Sequence, residues 1–228
     1  MMSKGLIIAI DGPSGAGKST LSRALARELG YMNIDTGAMY RSVALLAQRQ
    51  QVDPADADGL QTLCQGIRIS FVGTPEGERV LLNGEDVSKA IRTPQVSLLT
   101  AQVAASQVVR GEMLHLQREM GKAGGVVLEG RDIGTVVFPD AQVKFFLSAT
   151  AQERGRRRYD ELREKGTEVD LQRTIAEVEA RDAADEQRAH APLRRAADAV
   201  DIDSTAMSID QVLQKMLAVV AERRKALE

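Results

Sequence analysis

The residues with the clearest chemical potential lie near the amino terminus, where glycines surround a lysine and a serine. Residues 12–19 read Gly-Pro-Ser-Gly-Ala-Gly-Lys-Ser and fit the pattern G-x-x-x-x-G-K-[S/T] completely. In that pattern the backbone N–H groups turn toward a bound anion, and the following helix adds the positive end of its dipole. We therefore predict a triphosphate-binding loop made of consecutive residues, namely Gly12, Pro13, Ser14, Gly15, Ala16, Gly17, Lys18, Ser19 and Thr20.

Two residues of this loop have predicted roles in the chemistry. Lys18 should reach the β- and γ-phosphates, and the Ser19 hydroxyl should hold Mg²⁺. The motif alone fits a kinase, an ATPase or a GTPase. The sequence contains no Asn-Lys-x-Asp segment of the kind that reads guanine, which argues against a GTPase.

A carboxylate is the second candidate ligand for the metal. Glu129 directly follows the apolar run 126–128, at the end of a predicted strand. A carboxylate there can bind Mg²⁺ directly or through water, as an Asp does in other proteins with this loop. The alternative is a strand-end carboxylate that caps a turn.

Arginines near other predicted strand ends are candidates for binding a second anionic substrate. Arg41 follows a strand that ends at Asp35, and Arg131 and Asp132 follow Glu129. Ligands bind at the carboxyl ends of strands in open α/β sheets, and cations neutralise charge during phosphoryl transfer. Each arginine could equally belong to a solvated salt-bridge face.

Further arginines are predicted to lie on helices. Arg181, Asp185 and Arg188 are spaced by four and three residues. One helix face would therefore carry all three, with Asp185 holding both guanidinium groups. Another predicted helix carries the neighbouring arginines Arg154, Arg157 and Arg158.

Five short apolar runs indicate the strands that position these residues. Apolar residues predominate in them, as expected for parallel strands covered on both faces, and helical patterns lie between them. This alternation predicts a doubly wound α/β sheet. The predicted strands are Leu6–Ile10, Tyr31–Ile34, Val126–Leu128, Val143–Leu147 and Ala199–Ile202. The predicted helices are Ser19–Leu29, Met39–Gln50, Gln95–Met120 and a last one that starts at a Ser208–Gln211 capping box, with Ile209 on its apolar face.

Two stretches depart from this alternation. A small antiparallel unit is predicted from Leu63 to Ser88, because strand-like runs there flank a turn at 73–77 and the pair Asn83-Gly84. An Asn-Gly pair between such runs is a strong hairpin signal. The stretch 153–195 is strongly charged and rich in arginine. We interpret it as helices with a mobile tip near Lys165-Gly166.

The composition narrows the function classes. The chain has 228 residues, and a net charge of -2 gives no reason to expect a polyanion-binding surface. Aromatic residues make up 3%, which argues against base stacking on nucleic acid. No apolar run is long enough to span a membrane, and the single cysteine, Cys64, is expected in the core. We expect a soluble cytoplasmic monomer that binds neither nucleic acid nor membranes, with His115 and His190 in surface or structural positions.

The motifs together resemble those of one enzyme family, the bacterial cytidylate kinases. The resemblance runs from residue 8 to about residue 205, and the longest segment is the most specific. The segments are Ile8–Lys18, Asp35–Arg41, Ile91–Thr93, Glu129–Asp140 and the set Arg181, Asp182, Asp185 and Arg188.

The resemblance implies transfer of a phosphoryl group from ATP, with Mg²⁺, to CMP or dCMP. It implies a P-loop NTPase fold with a core (1–38, 101–150 and 170–228), a monophosphate-binding insertion (39–100) and an arginine-rich lid (153–169). The CMP contacts that it implies are Thr36, Arg41, Arg110, Arg131, Asp132, Arg181, Asp185 and Arg188. The catalytic residues that it implies are Lys18, Arg131, Arg158 and Arg188.

This chain departs from the family pattern at two positions. A serine that commonly contacts the base near position 101 is Ala101 here, with Thr100 and Ser97 as nearby alternatives. The loop reads Lys-Ser-Thr where many members have Lys-Gly-Thr, so the hydroxyl on Mg²⁺ could come from Ser19 or Thr20.

Overall fold

Strands and helices alternate along most of the chain in the computed structural model, which describes residues 5–74, 77–164 and 166–227. The strands are β1 Ile7–Asp11, β2 Met32–Asp35, β3 Ile69–Thr74, β4 Gly77–Leu82, β5 Glu85–Asp86, β6 Val126–Gly130, β7 Val143–Ser148 and β8 Val200–Asp203. The α-helices are α1 Lys18–Leu29, α2 Thr36–Gln50, α3 Ala57–Cys64, α4 Pro94–Ala105, α5 Gln107–Gly121, α6 Ala151–Glu164, α7 Leu171–Glu186 and α8 Ile209–Leu227.

The main sheet confirms the predicted α/β class. Its strands lie in the order β2-β6-β1-β7-β8, and β1 pairs in parallel with β6 and with β7. Each strand extends at least one residue beyond its apolar run, because backbone pairing continues past the apolar side chains. In β1, for example, Asp11 still pairs with Gly130.

The chain divides into two compact units. The first contains Met1–Asn33 and Ala123–Glu228, and the second contains Ile34–Lys122. In the first unit, α1 and α8 pack their apolar residues against the sheet around Phe145, which is 1% exposed. The phosphate-binding loop therefore leaves β1 from a close-packed core.

The start of α8 follows the predicted capping box. The backbone N–H of Gln211 donates to Ser208 Oγ at 3.2 Å, and the backbone N–H of Ser208 donates to Gln211 Oε1 at 2.9 Å. The placement of Ile209 on the buried face was wrong, because its side chain is 54% exposed at the first helical position.

The prediction of one helix from Gln95 to Met120 was also wrong. The segment forms α4 and α5, which are separated at Ser106. Ser106 has extended backbone angles (φ −67°, ψ 124°) and donates its N–H to Val103 O at 3.1 Å, so it ends the first helix. The apolar pattern continues across this residue and could not reveal the break.

The second unit contains the predicted antiparallel sheet. Strands β3, β4 and β5 pair in that order, and the turn between β4 and β5 has positive φ at Asn83 (51°) and Gly84 (89°). The hairpin at Asn83-Gly84 is confirmed, whereas Leu63 lies in α3 and not in the sheet. The other predicted turn, at 73–77, lies partly outside the described residues.

The charged stretch 153–195 forms most of α6 and α7, as predicted. These two helices pack on each other in the first unit. Lys165, at the predicted tip, lies outside the described residues.

Candidate active site

The phosphate-binding loop joins β1 to α1, as its motif predicts. The helix begins at Lys18, and Gly17 before it has φ 90°. Gly12 needs to be glycine for two reasons, since its φ is +148° and a Cβ there would overlap Leu147 O on β7. The loop is therefore held against the carboxyl end of the sheet.

Lys18 is buried in this loop with only 6% of its surface exposed. Its Nζ donates to Pro13 O at 2.6 Å. Burial lowers its pKa to about 7, helped by the charges of Arg131 and Arg181, while Glu129 and Asp11 act in the opposite direction. A buried ammonium with a lowered pKa favours a bound anion, because an anion would compensate the cost of its charge.

The residues around the loop suit Mg²⁺ when it is bound together with phosphates. Ser19 lies in the first turn of α1 and is half-buried, Thr20 beside it is exposed, and Glu129 is 4% exposed in β6. In the described part of the chain, no three His, Cys, Asp or Glu side chains form a group that could hold a metal alone. Mg²⁺ is usually held by one or two protein oxygens plus substrate phosphates, which fits this set.

Asp11 links the loop to the segment after β6. Its carboxylate accepts hydrogen bonds from the N–H groups of Ile133 (2.8 Å) and Gly134 (2.7 Å). Burial raises its pKa to about 6, although these two bonds act to lower it. The segment Ile133–Val137 forms a π-helical turn directly after Asp132, so Asp11 fixes the backbone that presents Arg131 and Asp132. Asp11 directly follows the apolar run 6–10, and this position at a strand end is the only sign of its role in the sequence.

Arg131, Asp185 and Arg188 form a cluster in the first unit. Arg131 Nε donates to Asp185 Oδ2 at 2.8 Å, and Arg188 Nη2 donates to Asp185 Oδ1. Burial raises the pKa of Asp185, but the charges of Arg131, Arg188 and Arg181 and the bond from Arg131 outweigh it and leave the pKa below its usual value. The carboxylate is thus ionised and holds two guanidinium groups.

The predicted helix face for this cluster needs correction. α7 ends at Glu186, so Arg188 lies beyond the helix and bonds back to Asp185. Arg188 was a predicted partner of Asp185, whereas Arg131, which also donates to it, was not predicted. Arg181 is exposed on α7 and affects Asp185 and Lys18 through its charge.

The arginines of α6 have different environments. Arg158 is exposed and pairs with Glu161 at 2.8 Å, whereas Arg157 donates to Ser204 O at 2.8 Å and to Glu153 at 3.0 Å. Arg154 is buried and pairs with Asp182 of α7. This buried pair could not be predicted, because its members are 28 residues apart on two different helices.

In the second unit, Asp35 lies at the start of α2 and contacts two arginines, Arg41 and Arg92. Asp35 caps α2 by accepting the N–H of Ala38 at 2.8 Å, and this cap explains why the helix begins at Thr36 and not at Met39. Asp35 Oδ2 also accepts Arg41 Nη2 at 3.0 Å and lies 3.8 Å from Arg92 Nη2.

Arg110 is the other predicted cation of the second unit. It is 9% exposed, its guanidinium carbon lies 5.5 Å from the centre of the Tyr40 ring, and Nη1 donates to Ala104 O at 3.4 Å. Arg110 is on α5 and Tyr40 is on α2, so the contact joins two helices of this unit.

The hydroxyls near Ala101 both bond within α4. Thr100 Oγ1 donates to Val96 O at 2.6 Å, and Ser97 Oγ donates to Thr93 O at 2.9 Å. Ala101 itself is exposed. Either hydroxyl keeps its lone pairs for accepting a hydrogen bond but uses its proton locally.

The two histidines and the cysteine occupy the surface and core positions that were predicted for them. His115 and His190 are exposed, and Cys64 is buried, with its pKa raised to about 11 mainly by burial. Across the described ranges, none of the helices combines the length and the apolar character needed to cross a membrane.

Known proteins match this chain over nearly its full length. The family model described as cytidylate kinase matches residues 8–222. A cytidylate kinase of Syntrophotalea carbinolica is 66% identical over 227 residues, which cover 100% of this chain and 97% of that protein. A cytidylate kinase of Geobacter sulfurreducens is 60% identical over 223 residues, with 98% and 96% covered.

A solved structure supports the fold independently. An uncharacterized protein from Eubacterium ventriosum has a TM-score of 0.50 and 12% identity, over 95% of this chain and 98% of that one. The likeness concerns the fold alone. Since the family model matches most of the chain and both relatives cover it almost completely, this chain belongs to the cytidylate kinase family.

Proposed function

We propose that this protein transfers the γ-phosphoryl group of ATP to CMP and dCMP, giving the corresponding diphosphates and ADP. The observation that carries the proposal is the buried Lys18 in the phosphate-binding loop, with Arg131 and Arg181 close enough to lower its pKa. The same unit thus gathers several cations around the expected place of a triphosphate. Phosphoryl transfer between two anionic nucleotides requires such a site.

The reaction needs no catalytic base. A phosphate oxygen of CMP, already ionised at neutral pH, forms a bond to the γ-phosphorus of ATP, and the bond from that phosphorus to the β,γ-bridging oxygen breaks. ADP leaves with the electron pair. The protein contributes by positioning the reactants and neutralising the charge of the transferred group. The exposed His115 and His190 have no step to perform.

On the ATP side, the loop formed by residues 12–20 binds the phosphates through backbone N–H groups, and Lys18 contacts the β- and γ-phosphates. Ser19 and Glu129 would hold Mg²⁺, Glu129 directly or through water. When bound, the ion neutralises charge on the phosphate oxygens. Arg158 and Arg188 stabilise the charge of the transferred group.

Some of the residues that we propose for CMP binding lie in the second unit, and the others lie in the first. In the second unit, Thr36, Arg41 and Arg110 bind the monophosphate. Support comes from Arg41, whose guanidinium is oriented by Asp35 while its buried Nε has no acceptor among the described residues. An acceptor is therefore expected in the loaded enzyme, and phosphate oxygens are suitable acceptors.

In the first unit, Arg131 and Arg188 bind phosphate, and Asp185 contacts the ribose. Asp132 and Arg181 read the base. Cytosine donates from its N4 amino group and accepts at N3 and O2, so a carboxylate beside a guanidinium presents the complementary pattern. We further propose the division into core, insertion and lid given above, and a monomeric state in the cytoplasm.

A panel of acceptors tests the substrate assignment. ADP formation should be followed with saturating ATP, Mg²⁺ and either CMP, dCMP, UMP, AMP or GMP. We expect CMP and dCMP to give the highest kcat/KM, and a water-only control to give little ADP because lid closure excludes water. Faster reaction with AMP, GMP or UMP than with CMP and dCMP would contradict the proposal.

A further inference from the structure

A buried ion pair holds the phosphate-binding loop by its main chain. Asp182 Oδ1 accepts the backbone N–H of Ser14 at 3.1 Å, and Arg154 Nη1 donates to Ser14 O at 2.9 Å. Arg154 and Asp182 also pair with each other. One pair, from α6 and α7, thus contacts both peptides that flank Ser14.

The burial of this pair sets it apart from the other ion pairs of these helices. Arg154 is 6% and Asp182 is 8% exposed, whereas Arg173 and Glu177 on α7 form an exposed pair. Arg154 Nε is also bonded, to Ala149 O at 2.8 Å. A buried pair adds little stability on average, so its hydrogen bonds to the loop are the better reason for its presence.

The contacts lead directly to Lys18. The peptide between Pro13 and Ser14 donates its N–H to Asp182, and its carbonyl accepts Lys18 Nζ at 2.6 Å. On the other side of Ser14, the loop packs closely on α6. Gly15 has φ +75°, and a Cβ built there would lie 3.1 Å from Arg154 Cβ and from Arg154 O.

We infer that Arg154 and Asp182 are positioning residues for the phosphate-binding loop. They fix the two peptides around Ser14 so that the N–H groups of the loop and Lys18 are oriented before the triphosphate binds. Both side chains are buried and bond the main chain of the loop, so they would act on ATP through the loop. The inference rests on the proposed location of the ATP phosphates, and it adds a mechanical link between the loop and α7, which also carries Arg181 and Asp185.

The test compares variants of the pair with a control of α7 packing. Asp182→Ala removes both bonds of the carboxylate, Asp182→Asn keeps an oxygen for the Ser14 N–H, and Val178→Ala removes a buried apolar group one turn away on the same helix. For each full-length variant, KM for ATP, KM for CMP, kcat and Tm are measured, together with the Kd of ATP by titration.

We expect Asp182→Ala to raise the Kd and the KM of ATP about tenfold, because a hydrogen bond to a charged group is lost. The KM of CMP should change less than about threefold, and Asp182→Asn should recover most of the ATP affinity. Val178→Ala should lower Tm without separating the two KM values. Arg154→Met should resemble Asp182→Ala, and the double variant should be no worse than either single one, since both act on the same peptides.

Other outcomes would overturn the inference. If Asp182→Ala lowers Tm and shifts both KM values as Val178→Ala does, the pair is only structural. If Asp182→Ala does not fold, Arg154→Met decides, and an unchanged ATP affinity in that variant would reject the role. Lys18→Met distinguishes failure of the proposed ATP site from failure of the positioning role. If Lys18→Met keeps full activity, the proposed ATP site is wrong. If Lys18→Met is inactive while Asp182→Ala binds ATP normally, only the positioning role is rejected.

Discussion

The phosphate-binding loop and the cluster of Arg131, Asp185 and Arg188 lie in the same unit but are built in opposite ways. The loop is one continuous segment that offers backbone N–H groups and a single buried lysine. The cluster joins side chains that are 54 residues apart, through an aspartate that bonds two arginines. The loop is therefore specified by local sequence, while the cluster exists only once the chain has folded.

The two regions also carry positive charge differently. Lys18 is buried and its pKa is lowered to about 7, so its charge is costly until an anion arrives. The two arginines of the cluster are already partly compensated by Asp185, whose pKa lies below its usual value. The first site gains charge compensation on binding, whereas the second offers a charge that is oriented beforehand.

Replacing the lysine should have the largest effect. Lys18→Ala is expected to lower kcat by about 1000-fold, because an oriented cation on the transferred group contributes charge stabilisation of that order. CMP binding should be largely retained, since the cluster and the second unit are untouched. Steady-state kinetics and CMP titration measure both quantities.

A surface lysine provides the control for that variant. Lys215 on α8 is exposed, and Lys215→Ala should leave kcat and both KM values unchanged. If Lys18→Ala weakened CMP binding as strongly as it lowered kcat, the separation between the two regions would not hold.

Arg181, which we assign to the base of CMP, tests the binding of the second substrate. Arg181→Ala should raise the KM of CMP by about 30- to 100-fold, since a charge-assisted fork to the base would be lost, and should change the KM of ATP far less. Arg173→Ala, an exposed arginine on the same helix, should change neither value. Equal increases in both KM values for Arg181→Ala would reject its assignment to the base.

The same contrast explains how much of the fold could be predicted. The five strands of the main sheet follow from short, mainly apolar runs, and the hairpin at Asn83-Gly84 follows from its turn residues. The break at Ser106 could not be predicted, because the apolar period continues through it. The exposure of Ile209 could not be predicted either, since the apolar period of a helix does not show at which residue its packing against the core begins.

In the candidate site, too, contiguous motifs could be predicted, whereas contacts between distant residues could not. Family membership and the position of the loop follow from contiguous motifs, and the matched family model confirms the resemblance. The prediction of the partners of Asp185 was partly wrong. Arg131, which was not predicted, comes from a distant strand end, and Arg188 lies beyond the helix that was expected to carry it. The contacts of Asp182 to Ser14, 168 residues away, depend wholly on tertiary structure.

The smallest expected effect is a difference in pH dependence between the two substrates. Lys18 in the empty enzyme loses its proton as the pH rises through about 7, and bound phosphates would raise its pKa again. ATP binding should therefore take up a proton, and its affinity should fall by up to about tenfold per pH unit between roughly pH 7.5 and 9. CMP affinity should stay nearly constant there, because arginines do not titrate in this range.

Calorimetric titration in two buffers of different ionisation enthalpy would measure that proton uptake directly. Lys18→Arg serves as the control, because a guanidinium remains charged throughout this range and should remove the uptake even if the altered geometry weakens binding. An ATP affinity that is flat from pH 7.5 to 9 in the unmodified enzyme would mean that Lys18 keeps its proton without phosphate. The two regions would then bind anions by the same means, through cations that are charged beforehand.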